Sequence, residues 1–244
     1  MAGHSKWANI KHKKERADAK KGNIFSRIAK EIISAVKQGG PDPKANTKLR
    51  LALQKAKGAN VPSDVIDRNI KKAVSADQAD FTELSYELYG HGGVGIIVDA
   101  MTDNKNRTAS DMRIATNKKG GSIASLGSVA FNFDRKGVLQ IGKDQGDEET
   151  LFMQAMDVGA DDFDVADEGF IVVTPPELLY EVREKLEASG LSIQEASLEM
   201  IPKTTVECNP DIREANQDLI DFLEGIDDVD TVFHNMGLLK TKEK

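Results

Sequence analysis

Near the start of the chain, His4-Ser5-Lys6-Trp7 leads into Lys11-His12-Lys13-Lys14 and Arg16, so one large aromatic ring lies among cations. This is the mixture that stacks an unpaired base while neutralising the phosphates beside it. Lys20 and Lys21 extend the run, and Arg27, Lys30, Lys48 and Arg68 recur on later helical faces. These thirteen positions (Lys6, Trp7, Lys11, His12, Lys13, Lys14, Arg16, Lys20, Lys21, Arg27, Lys30, Lys48 and Arg68) are the candidate nucleic-acid contacts. The bland alternative is that Trp7 anchors a loose tail and the charges are merely solvated.

Other chemistry is weaker. Gly90-His91-Gly92-Gly93-Val94-Gly95 satisfies the dinucleotide pattern G-x-G-x-x-G, yet Ile96-Ile97-Val98 continues as a strand where that fingerprint must open a helix. It reads as a glycine-rich hairpin. Gly137 to Gly142-Lys143 imitates a P-loop, but Asp144 occupies the place of the magnesium-binding Ser or Thr. His4, His12, His91, His234 and Cys208 lack ligand spacing, and the run Asp161, Asp162, Asp164, Asp167 lacks the Gly and Glu of a calcium loop. No catalytic residue, metal site or cofactor is expected, and the chain reads as a non-enzyme without a small-molecule substrate. Asn106-Arg107-Thr108 is a sequon in form only, with Asn106 or Thr108 the expected cap of a helix.

The elements that must position these residues follow from periodicity. Met1 to Gly22 has almost no apolar period and reads as a basic arm. From Asn23, the stripe Ile24, Ile28, Ile32, Val36 marks a helix that Gly39-Gly40-Pro41 stops. A second helix is expected from an Asp42 cap and Pro43, with Leu49, Leu53 and Ala56 inward. A third starts at Ser63, with Ile66, Ile70, Ala73 and Val74 inward. Next come strands 81–89 and 94–101, a helix 108–117 and a strand 129–133. From Lys136 the order is βαββαβ, the split βαβ of ferredoxin-like domains. A final helix 210–223 and strand 229–233 are too small to fold alone. The expected fold is therefore α+β and multidomain. It has an N-terminal three-helix domain (23–76) after the arm (1–22), an α+β middle domain (77–135 and 204–240) and a ferredoxin-like domain (136–203) inserted into the middle one.

Charge divides the chain in the same way. Residues 1–76 hold 18 Lys and Arg against 6 Asp and Glu, a charge of +12, whereas the whole chain carries −7 and the remainder therefore −19. A dense basic end is the footprint of a phosphate-binding surface, and an acidic body repels non-specific nucleic acid. No apolar run approaches the length of a membrane span. Charge, rather than an apolar stretch, follows Lys6, Lys11 and Lys13, so no secretory signal and no membrane partner are expected. A single cysteine excludes a disulfide framework within the chain and suits a cytoplasmic location.

The string Met1-Ala2-Gly3-His4-Ser5-Lys6-Trp7-Ala8-Asn9-Ile10-Lys11-His12-Lys13 closely resembles the opening signature of the YebC/PmpR family, whose mitochondrial relatives are translational activators of cytochrome oxidase. The resemblance continues through Gly39-Gly40-Pro41-Asp42-Pro43, Thr102-Asp103-Asn104, Asn106-Arg107-Thr108, Gly120-Gly121, Gly127-Ser128-Val129, Gly159-Ala160-Asp161-Asp162, Ile201-Pro202 and Asp227-Asp228-Val229, covering nearly the whole chain. His91 stands where the family more commonly has Pro. The resemblance implies three domains, the third inserted into the second. It also implies one of two partners: DNA, for a cytoplasmic transcriptional regulator, or ribosomal RNA, for a ribosome-associated translation factor.

Trp7 separates stacking from charge attraction. Trp7→Ala is expected to cost about 1 to 3 kcal/mol in affinity for RNA with exposed bases and to leave duplex DNA binding nearly unchanged. Titrations of both ligands check this. An equal loss on the two would make Trp7 a structural anchor.

Overall fold

The computed structural model describes residues 21–75, 80–166 and 169–237. Helix α1 (Lys21–Gly39) buries Ile28, Ile32 and Val36 of the expected stripe, with Ile24 partly buried against them and Ile33 widening it. Against it pack α2 (Thr47–Gly58), through Leu49, Ala52 and Ala56, and α3 (Ser63–Val74), through Ala73 with Ile66 and Ile70. Each large side chain so buried contributes about 2 kcal/mol.

Two expectations here are corrected. Asp42 and Pro43 form a turn rather than a cap: the Asp42 carbonyl accepts the Ala45 and Asn46 amides, and α2 begins only after Asn46. The cap falls to Asn46 because its buried side chain accepts from Leu49 N (3.0 Å) while donating to Ala35 O (2.7 Å) and Gly40 O (2.8 Å). One amide thus ends α1 and starts α2. Val74, expected inward, is 64% exposed because α3 turns its last residue past the bundle.

Residues 21–129 and 206–237 form one compact unit, and Ala130–Thr205, which interrupts it in sequence, forms the other. In the first, β1 (Thr82–Tyr89), β2 (Gly95–Thr102), α4 (Lys105–Lys119) and the two-residue β3 (Ser122–Ile123) precede the interruption. Their sheet is completed after it by β8 (Val229–His234), in the order β3-β1-β2-β8, all antiparallel. Leu88, Ile96, Val98 and Val232 of the sheet pack against Met112 and Ala115 of α4 and Leu219 and Leu223 of α7 (Pro210–Glu224). The glycine motif is the β1–β2 hairpin, with one 3-10 turn at His91–Gly93. Buried Asn216 clamps it, accepting His91 N (2.8 Å) and donating to His91 O (3.0 Å). A Cβ on Gly90 would lie 2.2 Å from Asn216 Oδ1, which explains glycine there without a nucleotide.

The second unit runs β4 (Phe133–Gly142), α5 (Glu148–Asp157), β5 (Asp162–Ala166), β6 (Gly169–Thr174), α6 (Leu179–Ala188) and β7 (Ile193–Pro202). The antiparallel order β5-β6-β4-β7 is the ferredoxin-like arrangement, closed over Leu139, Ile141, Leu151, Phe170, Val172, Val182 and Leu186. The P-loop imitation is the second half of β4 followed by a single turn, Lys143–Gln145. A separate strand over 129–133 does not form. Ala130–Asn132 is a 3-10 turn, and β4 runs unbroken from Phe133 because β7 pairs with it from Phe133↔Pro202 to Ile141↔Ile193.

Asn46→Ala removes a cap and leaves two helix-end carbonyls without their donor. It is expected to destabilise the protein by about 2 kcal/mol in denaturant unfolding.

Candidate nucleic-acid interface

Of the thirteen candidate contacts, Lys6, Trp7, Lys11, His12, Lys13, Lys14, Arg16 and Lys20 lie outside the described residues, and Lys21 is the first residue of α1. The other four divide into two kinds. Lys48 and Arg68 are exposed: Lys48 Nζ reaches Gln38 Oε1 (2.7 Å) and lies 3.8 Å from Glu83, and Arg68 pairs with Asp64 one turn earlier (3.1 Å). Both ion pairs are solvated and contribute little, so either cation can be redirected to a phosphate.

Arg27 and Lys30 instead face the sheet. Arg27 Nη2 donates to Glu224 O at the C-terminus of α7 (2.7 Å), and its burial lowers its pKa against the raising fields of Asp230, Glu224 and Asp227. A cation on the last turn of a helix suits the helix dipole. Lys30 Nζ donates to Asp227 O (2.8 Å) and to Asp228 Oδ1 (3.1 Å).

Asp228, 3% exposed, is the centre of the polar cluster. It accepts from Arg107 Nε and Nη2, Thr102 Oγ1, Thr108 Oγ1 and Lys30 Nζ, all within 3.1 Å. Burial alone would raise its pKa, but the hydrogen bonds from Arg107, Lys30, Thr108 and Thr102 outweigh that and hold it at about 2. Arg107 is raised in return, first by its hydrogen bonds to Asp228 and Asp103. The expectation that Asn106 or Thr108 caps α4 is corrected: Asn104 caps it, accepting from Asn106 N and Arg107 N, because Thr108 is buried and turned to Asp228. Charge reading missed this cluster. Its members other than Lys30 do appear in the matched strings Thr102-Asp103-Asn104, Asn106-Arg107-Thr108 and Asp227-Asp228-Val229, which was the available signal.

Asp230, two residues on, behaves oppositely. Its Oδ1 finds no hydrogen-bond partner among the described residues, and burial, then Glu31, pushes its pKa up to about 7 against Arg27, Lys55 and Lys30. Cys208 is buried, which raises its thiol pKa, and donates weakly to Val206 O. The described residues contain no cluster of His, Cys, Asp or Glu able to hold a metal, and no helix among them is long and apolar enough to cross a membrane.

Comparison with known proteins places this arrangement. Residues 5–76 match the TACO1/YebC protein N-terminal domain, and residues 81–236 match the TACO1/YebC second and third domain. The chain belongs to the TACO1/YebC family. A probable transcriptional regulatory protein of Protochlamydia amoebophila is 63% identical over 238 residues, covering 98% of this chain and 97% of that one. One from Chlamydia pneumoniae is 59% identical, covering 97% and 100%. The crystal structure of a conserved hypothetical protein of Aquifex aeolicus superposes with a TM-score of 0.81 at 39% identity, covering 93% of this chain and 95% of that one. The Asp228 cluster thus joins Lys30, in the part matched by the N-terminal-domain model, to residues in the part matched by the second-and-third-domain model.

The two aspartates set opposite pH dependences. A carboxylate whose pKa is lowered on folding adds stability above its unfolded value of 3.8, and Asp228 loses that contribution as pH falls towards about 2. A carboxylate whose pKa is raised loses stability as pH climbs from 3.8 to the folded value, so Asp230 costs stability progressively up to about pH 7. Asp230→Asn is therefore expected to stabilise the protein by about 2 kcal/mol at pH 8 and by less at pH 4.5. Denaturant unfolding at the two pH values checks this.

Proposed function

We propose that this TACO1/YebC chain is a non-enzymatic, cytoplasmic regulator of gene expression that acts by binding nucleic acid. One observation carries the reading: +12 of charge in residues 1–76 of a chain whose total is −7. The contact is made by the arm, from Lys6 and Trp7 to Lys20 and Lys21, with Lys48 and Arg68 behind it. Arg27 and Lys30 act at one remove, by holding the helical domain to the sheet. The functional division follows 1–22, 23–76, the middle domain of 77–135 with 204–240, and the inserted 136–203. The similarity to probable transcriptional regulatory proteins of Protochlamydia and Chlamydia supports DNA as the partner.

A second reading, binding of ribosomal RNA by a translation factor, is favoured by the way α1 is used. Arg27 and Lys30 are committed to Glu224, Asp227 and Asp228, so these two cations of α1 are not free to enter a DNA groove. Neither reading calls for a cofactor, a small-molecule substrate or a membrane.

Crosslinking in cells, followed by sequencing of the bound nucleic acid, distinguishes promoter DNA from ribosomal RNA. In vitro, neutralising about six phosphates gives a log-log salt slope near −5 for duplex and nearer −4 for single strands. Binding is expected to vanish when residues 1–22 are deleted, and a slope close to zero would end the electrostatic account.

A further inference from the structure

The outward face of α4 carries a row of side chains that the fold does not use. Asn106, Ser110, Arg113 and Asn117 follow at spacings of four, three and four, which places them on one stripe of the helix. All four are exposed, and none makes a side-chain hydrogen bond or ion pair among the described residues. The inward face is fully employed, with Thr108, Met112, Ala115 and Thr116 buried. Several cations in this unit are paired: Arg107 with Asp228, Lys119 with Asp218, Lys37 with Asp80, Lys55 with Glu31. Among the described residues Arg113 has no ion pair, only its field on Tyr86.

The neighbouring helix sharpens the assignment. The exposed side of α7 carries Asp211, Glu214, Asp218 and Asp221, which would repel a phosphate chain. Lys118, whose ammonium lies 5.8 Å from the centre of the Phe222 ring, marks the flank of α4 that faces α7. The stripe lies roughly 100° round the helix from Lys118. No carboxylate interrupts it, because Asp103 is bound by Arg107 and Asp111 falls on the Lys118 side.

The chemistry of the row names its ligand. Asn and Ser side chains donate and accept at once, and Arg113 adds one cation in the middle. A row of this kind suits a backbone that offers both phosphate acceptors and hydroxyls able to donate, which DNA lacks and RNA has in its 2′-OH. Shape agrees. Because α4 lies beside α7 on the sheet, it presents a low surface rather than a helix standing clear, which fits the wide, shallow minor groove of RNA and not the deep major groove of DNA.

We propose that the α4 stripe Asn106, Ser110, Arg113, Asn117 is a second nucleic-acid contact, one that takes the ribose-phosphate backbone of RNA. It rests on the reading of this chain as a nucleic-acid-binding protein and adds a site in the acidic body, apart from the arm.

The test titrates the full chain, at several salt concentrations, against an RNA hairpin and a DNA duplex of the same stem sequence. Asn106→Ala combined with Asn117→Ala is expected to weaken RNA binding about tenfold with no change in salt slope, because no charge is removed. Arg113→Ala is expected to weaken it similarly and to flatten the slope by about one unit. Both leave duplex binding within about twofold. Alanine on an exposed helical face preserves the helix, so the melting temperature is unchanged; Asn117→Glu, which sets a carboxylate against the phosphates, gives an independent second variant. RNA affinity equal to the parent's in these variants, or an equal loss on duplex, overturns the proposal while the arm-based reading stands. A parent chain that binds neither ligand overturns both.

Discussion

A buried carboxylate must be supplied with donors or it will not stay buried, and the arrangement of this protein turns on how Asp228 is supplied. Leaving such a charge unpaired costs several kcal/mol, far more than any single contact gains. Its donors are four residues on three elements: Thr102 at the end of β2, Arg107 and Thr108 in the first turns of α4, and Lys30 in the middle of α1. The Asp228 carbonyl also accepts Met101 N, which fixes the entry into β8. The position of α1 on the sheet is therefore set by the same group that seats α4, so the helical domain and the second domain share one polar joint.

The joint uses its two aspartates in different ways. Strand β8 slips register where Asp99 faces Thr231 and Ala100 faces Val229, which leaves Asp230 as the extra residue of a bulge. Asp228 gathers donors and stays ionised to about pH 2, whereas Asp230 faces Glu31 with one oxygen unpartnered and holds its proton to about pH 7. Arg27 lies beside it but is held by the Glu224 carbonyl, and its own Nε lacks a partner among the described residues. Two cations of the basic segment are consumed in this joint. The nucleic-acid reading accordingly rests on the arm and on the outer faces of α2 and α3.

Sequence reading recovered most of what depends on apolar period, though not at Val74, which is exposed, nor at the strand expected over 129–133. The Ile28, Ile32, Val36 stripe and the βαββαβ order are properties of neighbours along the chain. It failed where the deciding partner is distant or competes locally. Asp42 is as good a cap by type as Asn46, and only the carbonyls of Ala35 and Gly40 decide between them. Asn104, Asn106 and Thr108 are all acceptable caps, and Asp228, more than a hundred residues away, claims Thr108. Lys30 and Arg27 looked like members of a solvated face because periodicity reports which side a residue occupies, not what stands opposite. The arm, with Trp7 among cations, lies outside the described residues, so its reading rests on residue types alone.

The two contact surfaces inferred for this chain have complementary physics, and that sets an order of events. A segment carrying +12 acts over about a Debye length, roughly 8 Å at physiological salt, and draws in any phosphate polymer without selecting among them. The α4 stripe carries one cation beside an acidic helix, so it attracts nothing at a distance and acts only on contact. Capture by the basic end raises the local concentration of nucleic acid at the rest of the chain, which converts a weak second contact into an intramolecular one. The acidic residues of α7 then act against any helix that would lie across both α4 and α7, while an RNA minor groove that meets α4 alone avoids them. On the proposed reading, selectivity comes from the weak, low surface, and affinity from the arm.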